Sequence, residues 1–214
     1  MGISMVIQIA LADDSDLTLI GIQSILDRHD AFQVVGTRLV FSEFLELIAA
    51  TAPDVILLSD RLEPDIHVLT LIRTIQETTP QARLLILGHL TNGLVIHELL
   101  NCGVMGYLYR HDRLEDCLVE AIHTVKRGKP YLSPSASTAY LLAANADNTG
   151  WQLGAEAYTV LRLIAEGHHP QEVAFMHKVS VRRVYRVVAR LRRRFGARTN
   201  PHLIARAAEE GFLF

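Results

Sequence analysis

Residues 180–195 read SVRRVYRVVARLRRRF. Val181, Val184, Val188, Leu191 and Phe195 recur at steps of three and four, so on a helix they fall in one stripe about 80° wide. Arg182, Arg186, Arg190 and Arg193 form an opposite stripe of similar width, which Arg183 and Arg194 extend to about 120°. Ser180 is a good N-cap for this run. The pattern predicts a helix held by a core on one side and offering arginines on the other. A second helix is expected just upstream, near Pro170–His177, with a short turn around Lys178 and Val179. Two helices joined in this way make a helix-turn-helix, whose second helix fits the major groove of B-DNA.

Working outward, the charge divides along the chain. Residues 151–214 carry eleven Lys and Arg against five Asp and Glu, and ten of those eleven cations are Arg. Residues 1–150 carry ten against eighteen, so an acidic front precedes a basic tail. Arginine is the side chain suited to forked contacts with phosphate and guanine. Of the 214 residues, 50% are hydrophobic and 21% charged, which excludes disorder as the dominant state. Two cysteines, Cys102 and Cys117, exclude a disulfide scaffold. No apolar run approaches the roughly 18 residues of a membrane span. The start, MGISMVIQIALADD, lacks a basic leader, and Val6 stands where a myristoylation signal has Ser or Thr. The expected location is the cytoplasm, with no membrane partner.

The acidic front alternates short apolar runs with helix-period stretches. Strands are expected at 6–11, 32–35, 54–58, 84–87 and 105–108, each followed by a helix. Five βα units predict a doubly wound, parallel five-stranded α/β domain over residues 1–127. Residues 128–150, rich in Pro, Ser, Ala, Asn and Gly, read as a linker with a helical piece around 136–144. Residues 151–214 read as an all-α domain.

The stretch from Leu153 to Asn200 resembles the LuxR-type helix-turn-helix domain. Val160-Leu161-Arg162-Leu163-Ile164-Ala165-Glu166-Gly167 follows that family's first-helix pattern, Glu172-Val173-Ala174 its second, and Ser180-Val181-Arg182-Arg183-Val184 the start of its recognition helix. Arg183, Tyr185, Val187 and Asn200 depart from the family's Thr, Lys, His and Arg, and Ala157, with Glu156 beside it, departs from its buried Glu. Together with the five βα units, the chain resembles NarL/FixJ-type response regulators, a receiver domain followed by a LuxR-type domain. The resemblance implies a homodimer that binds double-stranded DNA, with Arg182, Arg183, Arg186, Arg190, Arg193 and Arg194 as contacts. It also implies a sensor kinase or regulatory protein as partner, and Mg²⁺ held by Asp13, Asp14 and the acceptor aspartate.

The phosphorylation positions depart from the family. Counting forward from Pro53 places the acceptor at Ser59, whereas counting back from Pro64 places it at Asp60. Gly88 stands where the family has a Thr or Ser, and Arg110 where it has a Lys. The expectation is a regulator not switched by standard aspartyl phosphorylation; the alternative is a conventional one using Asp60. A remote alternative is a haloacid-dehalogenase-like phosphatase, from the D-x-D-x-T of Asp14, Asp16 and Thr18 with Ser59, Asp60 and Asp65 as a later acidic motif. That family also needs a Lys, and the first here is Lys126, so the expectation is no enzyme. An adaptor whose basic helix meets an acidic protein is the alternative without DNA. His168, His169 and His177 lack the spacing of a zinc helix motif and read as turn and surface residues.

Overall fold

The computed structural model describes residues 6–63, 66, 68–89, 91–145, 155–209, 212 and 213. It divides into two compact units, residues 1–140 and 141–214. The first alternates β1 (Ile7–Ala12), α1 (Asp16–Leu26), β2 (Phe32–Arg38), α2 (Phe41–Thr51), β3 (Val55–Ser59), α3 (Val68–Thr78), β4 (Arg83–Gly88), α4 (Gly93–Asn101), β5 (Gly106–Tyr109) and α5 (Leu114–Lys126). Then come β6 (Tyr131–Leu132) and α6 (Pro134–Asn145), which crosses the division between the units. The sheet is parallel throughout, in the order β2-β1-β3-β4-β5-β6. It therefore has six strands, not the five expected. The sixth is two residues long, too short for an alternating pattern to reveal, and sits within the stretch read as linker. Its neighbour α6 covers the predicted helical piece, and its first turn is tied down by Asp112, which accepts from the Ser135 amide (3.0 Å) and hydroxyl (2.5 Å).

The two-residue period of the strands sorts the core into two layers. Ala10, Ala12, Ile56, Leu58, Leu84, Ile86 and Tyr107 pack with α2, α3 and α4 on one face. Ile9, Leu11, Val55, Leu57, Leu85, Leu87 and Leu108 pack with α1 and α5 on the other. Such continuous apolar strands belong to a sheet buried on both faces. The order reverses between β1 and β3, which makes the carboxyl ends of these strands the switch point where sheets of this kind bind ligands.

Gly88 ends β4 against Tyr107, which is fully buried. A Cβ at Gly88 would lie 1.8 Å from the Tyr107 hydroxyl oxygen. The missing side chain is thus what lets the ring fill this position.

The second unit contains α7 (Ala155–Ala165), α8 (Pro170–Met176), α9 (Val181–Arg194) and α10 (Asn200–Glu209). Leu161, Ile164, Val173, Val184, Val188, Leu191, Leu203 and Ala207 are buried in its core. His169 caps α8, accepting from the Gln171 amide, while Glu172 reaches back to the His169 amide at 2.8 Å. Lys178 turns the chain at φ 51°, and the Ser180 hydroxyl accepts from the Arg183 amide to start α9. Val181, expected in the buried stripe, is exposed, and Val187 is buried instead. Among the described residues no helix is long and apolar enough to cross a membrane.

Gly88→Ala is expected to destabilise the first unit by about 1–3 kcal/mol, the usual cost of overpacking. In a Tyr107→Leu background the same change should cost much less, measured by urea unfolding of the four proteins. Equal costs in both backgrounds would contradict the packing described.

Candidate functional site

Asp13 directly follows β1 and continues the side of Ile9 and Leu11. Ser59 ends β3 on the side of Val55 and Leu57, the same face. Arg110 follows β5 and extends the ladder, its amide donating to the Gly88 carbonyl at 2.9 Å. These three, with Asp14 and Thr18, form one cluster at the strand ends. Arg110 Nη2 donates to Asp13 Oδ2 and lies 3.5 Å from Asp14 Oδ1, and its Nη1 donates to the Thr18 hydroxyl at 3.2 Å. The Ser59 hydroxyl donates to Asp14 Oδ1 at 3.0 Å. The Ser15 amide closes the loop onto Asp13 Oδ1 at 2.9 Å.

Asp60 is one residue further along and on the opposite side of the pleat. One step along a strand flips a side chain to the other face. Asp60 is buried, accepting from the His89 amide at 2.9 Å and lying 2.7 Å from His89 Nδ1. The acidic pair and Asp60 are thus engaged by different partners. Among the described residues no three His, Cys, Asp or Glu side chains converge as a metal-ligand set. His89 was missed in the sequence; only its place next to Gly88, at the end of an apolar strand, hinted at it.

Burial pushes the Asp13 carboxyl up to about 6, against the opposing pull of the Ser15 amide and Arg110. Asp14 is more open. Its partial burial is outweighed by the Ser59 hydroxyl and by Arg110, which hold it below the usual carboxylate value. The arrangement is a partly buried carboxylate pair balanced by a guanidinium built into the chain.

In the second unit α9 presents Arg182, Arg186, Arg190 and Arg193 as exposed side chains. Arg183 forks onto Glu156 of α7, Nε to Oε1 at 2.5 Å and Nη2 to Oε2 at 3.1 Å. That bond holds the Glu156 carboxyl below its ordinary value. Arg194 stacks on the rings of Phe195 and Phe212, 5.1 and 4.7 Å from their centres. Arg192 donates twice to Asn200 Oδ1, at 3.1 and 2.8 Å. Of the six arginines predicted to contact DNA, four stand on the open face and two are engaged within the domain. Glu156 and Phe212 lie 27 and 18 residues from the arginines they hold, too far for helix spacing to reveal.

Asp16, the second aspartate of the phosphatase reading, is exposed in the first turn of α1 and accepts from the Leu17 amide at 2.7 Å. Asp65 lies outside the described residues. Cys102 is exposed and Cys117 buried among apolar side chains.

No family model matches the chain. It is similar over 216 residues to the oxygen regulatory protein NreC of Staphylococcus carnosus, at 26% identity, covering 96% of this chain and 99% of that protein. NreC of Staphylococcus aureus matches at 25% over 215 residues. Among solved structures, RcsB of Salmonella enterica serovar Typhimurium, bound to promoter DNA with a beryllofluoride phosphomimetic, superposes with a TM-score of 0.66 at 21% identity. It covers 94% of this chain and 97% of that one. A structure of two RcsB dimers on two parallel DNAs gives 0.65 at 19%, covering 95% and 98%. The fold is therefore a receiver-type sheet domain followed by a helix-turn-helix domain, and the full-length relatives are named as oxygen regulatory proteins.

Replacing Arg110 with Met leaves two carboxylates facing each other, and is expected to cost about 3–5 kcal/mol of stability at neutral pH. Adding Asp13→Asn should recover part of that loss. The loss should also shrink as pH falls toward about 6, because Arg110 lowers the Asp13 pKa and without it the carboxyl takes up its proton at higher pH. Thermal unfolding across pH 5–8 checks both; a loss independent of pH and of Asp13 would contradict the ion cluster.

Proposed function

We propose that this chain, built as a NarL/FixJ-type response regulator, is a sequence-specific DNA-binding transcription regulator whose receiver-like domain works without standard aspartyl phosphorylation. The observation that carries the DNA reading is α9, with a buried apolar side and an open arginine side in a helix-turn-helix frame. The promoter DNA in the similar RcsB structures supports the same reading. The DNA-bound dimers there support a homodimer here, with half-sites about 34–36 Å apart or a multiple of that. The protein then works in the cytoplasm, where its DNA is.

The second part rests on the strand-end cluster. A phosphoryl acceptor of this type needs a carboxylate beside a metal-binding pair. Ser59 faces the pair, and Asp60 faces His89. The residues present do not fit Mg²⁺, because Arg110 spans Asp13 and Asp14 and, among the described residues, no third carboxylate joins them. Arg110 supplies the positive charge that a metal would bring. Control then falls to dimerisation or to a regulatory protein or ligand at the receiver-like domain. An adaptor working through an acidic protein would bind DNA with no sequence preference.

The test is a titration of fragments from the upstream region of the protein's own gene, with and without Mg²⁺ and beryllofluoride. Specific binding is expected to be equal in both conditions and unchanged by Asp60→Ala. Arg182, Arg186 and Arg190 replaced together by Ala should abolish specific binding. A single Arg186→Ala change that removes a phosphate contact should flatten the salt dependence by about one unit of slope. Binding tightened by beryllofluoride and lost with Asp60→Ala would establish the conventional switch instead.

A further inference from the structure

We propose that α9 reads thymine methyl groups through an apolar ridge, Val181, Tyr185 and Ala189, set beside its arginine ridge. This inference rests on the DNA-binding reading above and names the chemistry that it selects. The three residues are spaced by four, so they form a continuous line along the helix surface, each displaced by about 40° from the last. All three are exposed: Val181 at 36%, Tyr185 at 49%, and Ala189 with them. Arg182, Arg186 and Arg190 trace the adjoining line, one residue further on. The core side of the helix is taken up by Val184, Val187, Val188 and Leu191. Arg183 and Arg192 are held by Glu156 and Asn200, and Arg194 lies on two phenyl rings. The two ridges, with Arg193, therefore make up most of the open face.

Scattered exposed apolar residues need no explanation, but a line of them along the edge of a cationic face does. In the major groove the one apolar feature of a base-pair edge is the C5-methyl of thymine. A helix-turn-helix presents the N-terminal residues of its second helix to those edges, and Val181 and Tyr185 lie in that half of α9. The arginine ridge supplies contacts to guanine and phosphate, while the apolar ridge requires A·T pairs whose methyl groups face it. Tyr185 is the central element, with a ring wide enough to cover a methyl group.

The experiment uses the full-length chain and a site selected from random duplex DNA. Each thymine of the site is replaced in turn by deoxyuridine, which removes only the methyl group. Binding is expected to fall about fourfold at one or two thymines, the equivalent of one buried methyl. Tyr185→Ala should weaken binding to the thymine site and abolish further loss on deoxyuridine substitution, with the thermal midpoint unchanged. Full affinity for sites fully substituted with deoxyuridine would overturn the inference while leaving the regulator reading intact. A selection that yields no preferred sequence would overturn both.

Discussion

The pleat of a β-strand allows no intermediate positions: adjacent side chains leave on opposite faces of the sheet. At the carboxyl edge of this sheet, that constraint decides which groups can meet. Asp13, Ser59 and Arg110 leave toward α1 and α5, whereas Asp60 and Gly88 leave toward the layer that holds Tyr107. A carboxylate at Ser59 would face the acidic pair; the same carboxylate one residue later faces His89. The chemistry open to the domain follows from that single position in the strand.

The electrostatics of the edge are consistent with this placement. Two carboxylates close together, one of them buried, need a counter-charge, and Arg110 supplies it from within the chain. Its planar fork spans Asp13, Asp14 and Thr18 at once, which the point charge of a Lys ammonium does not do. Gly88 belongs to the same design. With no side chain at the end of β4, Tyr107 occupies the space where a hydroxyl-bearing residue would stand.

Much of the architecture was legible in the sequence. Five apolar runs with helical stretches between them define the doubly wound domain, and the α9 pattern defines the basic helix. The legible features are periodic, because burial imposes a period on each element. The strand β6 was hidden by its length of two residues. The choice between Ser59 and Asp60 was illegible because it depends on where β3 ends, and strand ends carry no period. The contacts Asp60–His89, Arg183–Glu156 and Arg194–Phe212 join residues 29, 27 and 18 positions apart, and only folding brings them together. Four of the six arginines expected at DNA stand on the open face because helix period governs them. The other two lie at the margins of the stripe, where tertiary partners compete for them.

The most direct measurement is fluorine-19 NMR of the full-length protein titrated with beryllium, fluoride and Mg²⁺. A receiver with a working acceptor holds beryllofluoride on its aspartate and gives resonances distinct from the free species. The expected result is free beryllofluoride signals alone at every protein concentration. A protein-bound resonance that disappears in Asp60→Ala would contradict the placement of Asp60 with His89 and the metal-free reading of the cluster.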